Sequence, residues 1–391
     1  MKHSQDRVLT THTGSLPRPD GLAGQLTALD RGALAAEDLD ALPARIRSAV
    51  GGLVARQVEI GIDVVSDGEV SKFGYATYVK QRLTGFDGDD QPLALSEFAD
   101  FPTFTMSTTL DVTNPACTGP VSFRGADAVA ADISNLTDAL EQTPAVEGFM
   151  NAASPGIIAD YLANQHYDSE EAYLYALADA MKHEYDAIAD AGFVLQLDCP
   201  DLALGRHLAP EPLQFGEFRD KIAARVEVLN YALRDIPPER MRMHVCWGNY
   251  ESPHHHDVPL REIVDTVLAA RPAALLVEAA NPRHQHEWRV FEDVALPEGK
   301  IIVPGVIDTL TSYIEHPEVV AERIVRYART VGRENVIAGT DCGFATFANF
   351  TPVNPDIAWA KLGALSEGAE IASRALWRGT ASPLAAGATA G

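Results

Sequence analysis

From about residue 190 onward the chain alternates short β-rich runs with longer stretches of helical apolar spacing, and this alternation restricts the fold most. The runs are FVLQLD (193–198), MRMHVCW (241–247), AALLVEA (273–279), KIIVPGVID (300–308) and NVIAGTDC (335–342). Between them, FRDKIAARVEVLNYAL and PEVVAERIVRYART repeat apolar residues at helical spacing. Repeated βα units predict a parallel sheet. Upstream, LTTHTG (9–14), DVVSDGE (63–69) and EGFMNAA (147–153) read as further strands. Eight such units predict an α/β fold, the TIM (β/α)8 barrel, with reactive groups at the C-terminal ends of the strands.

A single catalytic barrel is expected over residues 1–379. The stretch from about 82 to 145 breaks the rhythm: it reads GFDGDDQP, then β-prone FPTFTMSTTLDV, then ACTGPVSF. It is expected to be an insertion carrying a β-hairpin near the barrel mouth. The tail 380–391 is rich in small residues and expected to be disordered.

Four residues suggest a metal centre. His244 and Cys246 stand at i and i+2 of a strand, so both point to one face. Glu278 and Cys342 fall at the ends of two later runs. Imidazole, carboxylate and thiolate together suit Zn2+, and thiolates disfavour magnesium or calcium. A closed structural site would gather its ligands at short local spacing, whereas these four span about a hundred residues. A catalytic zinc is expected, acting on an external thiol.

Charge excludes partners. With 55 acidic against 31 basic residues and a net charge of −24, the chain has no use for nucleic acid or an anionic membrane. The start MKHSQDRVLTTHTGS lacks the apolar stretch of a signal peptide, and four cysteines make no disulfide framework. A cytoplasmic enzyme is expected, with a small-molecule thiol and an alkyl donor as partners and a homo-oligomer left open.

These motifs resemble the C-terminal catalytic barrel of the cobalamin-independent methionine synthase family over roughly residues 8–375. The HVC pair, the strand-end Glu278 and TDCG (340–343) match the family's zinc ligands. TGSLPRP (13–19) resembles the loop whose backbone holds the amino-acid substrate, which implicates Gly14 and Ser15, with His12 beside them as a candidate contact. The resemblance places Glu69 of SDGE and Asp198 of LQLDCP against the substrate's amino group. It implies methyl transfer to a zinc-activated thiol such as homocysteine.

The methyl-donor half departs from the pattern. GVIDTLTS (305–312) puts Leu310 where the family carries a proton-donating histidine. Aligning SPGIIADY with the motif of the pterin-stacking aromatic gives Tyr161 in place of a Trp, with CTGPVSF as a competing alignment. Phe344 and Ala345 replace a lysine. SDGEVSKFGYATYV and GVIDTLTSYIEHPEVV instead resemble short single-barrel relatives that include epoxyalkane:coenzyme M transferase, which implies epoxide opening by a zinc-bound thiolate as the alternative. Candidate proton donors after the seventh strand are Asp308, Tyr313 and His316, with Tyr75 and Tyr78 as alternatives. His284 and His286 are candidates to orient Glu278.

Overall fold

All eight runs form parallel strands in the computed structural model, which describes residues 1–91, 93, 95–104, 112–208 and 211–377. They are β1 (Leu9–Thr10), β2 (Val64–Ser66), β3 (Glu147–Ala153), β4 (Val194–Asp198), β5 (Met241–Val245), β6 (Ala274–Glu278), β7 (Ile301–Gly305) and β8 (Ile337–Ala338). Strands β2 to β7 pair in chain order, and β1 pairs with β8. Thr11 bridges to Val64, while Ile302 and Gly305 bridge to Val336 and Gly339, so the sheet closes on itself.

Helices cover the outside because parallel strands are buried on both faces. The helix Leu260–Leu268 shows why its sequence folds this way. It buries Leu260, Ile263, Val264, Val267 and Leu268, one apolar stripe at helical spacing. Pro317–Val331 begins with Pro317 in the first helical position and stops at Gly332, whose φ of 92° favours glycine. No helix among the described residues is long and apolar enough to cross a membrane.

The strand period of two decides what enters the barrel. On β5 and just beyond it, Arg242, His244 and Cys246 share one face. Arg242 is the floor. Its guanidinium donates to Gln196 Oε1 at 2.6 Å, Thr11 Oγ1 at 2.9 Å and the His12 carbonyl at 2.7 Å, and lies 3.4 Å over the Phe149 ring. Burial lowers its pKa to about 9. The layer above holds the candidate ligands.

Between β2 and β3 the chain makes an excursion. Antiparallel bridges join Leu83 to Phe123 and Asp90 to Pro115, and Ser96–Asp100 forms one 3-10 turn. Helix Ala126–Gln142 then belongs to the barrel's outer layer, so the excursion ends before it rather than at 145. The expected hairpin falls largely on residues 105–111, and the tail on 380–391; both lie outside the described residues. Buried Glu97 ties the excursion down, accepting from the Tyr250 hydroxyl at 2.7 Å, the Ser252 hydroxyl and the His254 N–H at 2.9 Å.

Candidate active site

Three of the four proposed ligands converge. Cys246 Sγ lies 3.3 Å from Cys342 Sγ, and with a ring nitrogen of His244 the ligand atoms fall within 4.8 Å of one another. All three residues are buried, and both cysteines are free thiols. His244 Nε2 sits 3.2 Å from the Asp341 carbonyl; donating there, it leaves the Nδ1 lone pair free for a metal. Burial lowers its pKa to about 4, so the ring is neutral, as a ligand must be. The hydrogen bond with Cys342, then burial, push the Cys246 thiol well up. Two buried thiols and a neutral imidazole suit zinc by softness and by number.

Glu278 stands beside this set rather than in it. Its Oε1 accepts from the Trp247 N–H at 2.8 Å and its Oε2 from Asn281 Nδ2 at 2.7 Å. Each carboxylate oxygen keeps a second lone pair. His284 does not orient it, because its ring is shared between Asp257 at 2.9 Å and Glu287 at 2.8 Å.

Sequence reasoning gave no role to Asp341. Its carboxylate accepts from the backbone N–H groups of Ala279 at 2.7 Å, Ala280 at 2.9 Å and Asn281 at 2.9 Å. The loop after β6 is thereby clipped to the segment carrying Cys342. Gly305 makes room, since a Cβ there would meet the Asp341 Cα at 2.4 Å. Only its place beside Cys342 hinted at this in the sequence. Each buried donor left unpaired costs about 1–3 kcal/mol. Asp341→Ala is therefore expected to lower the unfolding free energy by about 3 kcal/mol or more and to weaken zinc retention, as read by urea denaturation and by metal content after dialysis. An unchanged midpoint would remove Asp341 from this role.

Next to the thiols lies an acidic pair. Asp198 ends β4 and accepts from Gln196 Nε2 at 2.8 Å and Asn151 Nδ2 at 3.0 Å. Glu69 follows β2 with φ 55°, a left-handed conformation uncommon outside glycine. Burial and then the charge of Asp198 raise the Glu69 pKa to about 8; burial raises Asp198 to about 6. Lys72 offsets part of this charge, although its ammonium is directed to the Asn151 carbonyl at 2.5 Å. Gly14, at φ 143°, allows the close approach: a Cβ would lie 2.4 Å from Asn151 Nδ2 and 2.6 Å from Glu69 Oε1. Such a pair suits a bound cation.

Thiols and carboxylates open into one cavity of about 290 Å³. Ser15, Glu69, Tyr161 and Asp198 line it together with His244, Cys246 and Cys342. His12 does not. The Gly14 N–H donates to its Nδ1 at 3.2 Å and its Nε2 meets Gln57 Oε1 at 2.7 Å, so the ring braces the first loop from beneath. The three proton-donor candidates after β7 also lie off the cavity. Asp308 accepts from the N–H groups of Leu310 and Thr311 in its own loop, both at 2.8 Å. Tyr313 is 84% exposed, and His316 caps the helix that follows. Tyr78 is bound to Glu184 at 2.8 Å, away from the cavity, whereas Tyr75 lines it and donates to the Tyr161 hydroxyl at 3.2 Å.

A closed parallel barrel with thiols and carboxylates gathered at its strand ends defines an enzyme of the TIM-barrel class. The chain belongs to the cobalamin-independent methionine synthase family: the family model described as "Cobalamin-independent synthase, Catalytic domain" matches residues 8–354. It is 24% identical over 372 residues to a methionine synthase of Saccharolobus solfataricus, covering 94% of this chain and 96% of that protein. It is 27% identical over 375 residues to the uncharacterized protein YxjH of Bacillus subtilis, covering 90% and 91%. In fold it is similar to the B12-independent methionine synthase of Shewanella sp. W3-18-1, with a TM-score of 0.73 and 23% identity over 95% of this chain and 99% of that one.

Proposed function

We propose that the chain is a zinc-dependent enzyme that methylates an aminothiol of the homocysteine class. The observation that carries this reading is the sharing of one cavity by two metal-type thiols and two buried carboxylates. Family membership and the names of the curated relatives support it. His244, Cys246 and Cys342 would hold the ion, with Glu278 at hand as a fourth ligand. Zinc in that place supplies Lewis acidity, which turns a thiol of ordinary pKa into a thiolate at neutral pH.

The protein's own residues do the positioning. Glu69 and Asp198 hold the substrate's ammonium group and thereby fix where its sulfur can reach. Ser15 and the loop after β1 face its carboxylate. Holding both reactants in line converts a bimolecular step into an intramolecular one. A thiol bearing a sulfonate, as in the coenzyme M alternative, meets no cationic side chain among the described lining residues, which favours the aminothiol. Four free cysteines suit a reducing cytoplasm.

Zinc K-edge absorption on the zinc-loaded protein tests the reading. Homocysteine is expected to add a sulfur scatterer and coenzyme M to add none. A change with coenzyme M alone would transfer the assignment to epoxide opening, and no change with either would sink both substrates.

A further inference from the structure

We propose, building on the aminothiol reading above, that the methyl donor of this site is an onium compound, a sulfonium whose positively charged sulfur carries the methyl group. Three independent observations point the same way.

The first is charge. No Lys or Arg lines the cavity among the described residues, while Glu69 and Asp198 do. The excursion adds no cation to the lining: it contributes Gln91, Leu93, Leu95, Phe98, Val112 and Asn114. Asn114 Oδ1 is buried in the cavity wall with no hydrogen-bond partner among the described residues, adding a further acceptor. A polyglutamylated folate would bring several carboxylates into this field unpaired, whereas a cation is attracted by it.

The second is shape. Tyr75, Tyr161 and Phe347 all line the cavity and pack together as one aromatic group in its wall, with ring centroids 5.5 Å apart for Tyr75–Phe347, 6.0 Å for Tyr75–Tyr161 and 6.3 Å for Tyr161–Phe347. Cys246 and Cys342 line the same cavity as these rings. Rings grouped in this way present negative faces to a cation too bulky to be held by hydrogen bonds.

The third is the proton. Displacement at a sulfonium needs none for its leaving group. The acceptor thiol gives its proton to solvent beforehand; its sulfur lone pair then forms the new C–S bond as the donor's C–S⁺ bond breaks. That bonding pair returns to the donor sulfur, which departs as a neutral thioether. A folate nitrogen or an epoxide oxygen would need an acid. Asp308, Tyr313 and His316 stay outside the cavity, and Glu69 and Asp198, the carboxyl groups that line it, are taken by the acceptor's ammonium group in the proposed complex.

The test separates the aromatic group from the thiol chemistry. Choline and its uncharged isostere 3,3-dimethylbutan-1-ol are titrated calorimetrically into the full-length, zinc-loaded protein. Choline is expected to bind at least about tenfold tighter, and Phe347→Leu to remove most of that preference. Homocysteine binding and the thermal midpoint of the variant serve as folding controls. Trimethylsulfonium with homocysteine is then expected to yield methionine, and 5-methyltetrahydrofolate is not. Equal or tighter binding of the alcohol, or turnover with the folate alone, overturns the proposal. Choline discrimination without any homocysteine binding would uphold the aromatic cation site and sink the aminothiol reading instead.

Discussion

Changing Cys342 to serine is expected to lower the methylation rate by roughly a thousandfold, since Lewis-acid activation is worth several kcal/mol. The barrel should remain folded. Cys342 and the Cys246–His244 pair are brought together by strands β8 and β5 of a sheet closed through backbone pairing, and its core of residues such as Leu276, Ile301 and Val303 lies apart from the thiols. The measurements are the rate of methionine formation and the far-ultraviolet circular dichroism of the same sample. Loss of the spectrum together with the rate would make the centre structural. Retention of the rate would remove Cys342 from the chemistry.

The second large effect belongs to Glu69. Taking one partner from a buried charge pair costs about 2–5 kcal/mol, so Glu69→Gln is expected to raise KM for homocysteine by roughly 30- to 3,000-fold. The deaminated analogue 4-mercaptobutyrate offers no ammonium group, and its KM should hardly change. An equal loss for both thiols would show that Glu69 shapes the cavity instead. A pH signature accompanies this. In the substrate-free protein the Glu69 pKa stands near 8 against an ordinary 4.5. The folded state therefore binds this proton more tightly than the unfolded chain. The resulting stability is present below the ordinary carboxylate range and is lost as pH rises toward about 8. Urea midpoints measured from pH 5 to 8 should decline in the native protein and decline less in Glu69→Gln.

The sequence made visible those features that depend on one strand at a time. Each of the eight strands falls within the run assigned to it, most of them apolar stretches bounded by turn residues, with the polar LTTHTG of β1 the exception. His244 and Cys246 were readable for the same reason, as a two-residue period fixes a common face. Features assembled from several loops were not readable. The aromatic group draws Tyr75 from the loop after β2, Tyr161 from the short helix Pro155–Tyr161 after β3 and Phe347 from the segment after β8, and nothing in their spacing announces a meeting. His12 illustrates the converse. It stands in the right loop, but the Gly14 N–H and Gln57 claim its ring. Asp308 likewise spends its carboxylate on its own turn. Position along a barrel strand predicts which end of the fold a residue occupies; hydrogen bonds decide which way its side chain turns.

The anchoring of the excursion at Glu97 gives the molecule a seam. The thiols, imidazole and carboxylates of the cavity ride on β2, β4, β5 and β8 or on the loops directly after them, whereas Gln91, Leu95, Phe98 and Asn114 reach the mouth from a single stretch of chain between β2 and β3. That stretch is moored from outside the strands, Glu97 holding the Tyr250–His254 loop and Asp100 pairing with His255 at 2.8 Å and His256 at 2.9 Å. Substitutions in this stretch can accumulate without touching the barrel side, so a lineage could reshape the mouth while keeping the thiols, carboxylates and aromatic rings of the cavity unaltered.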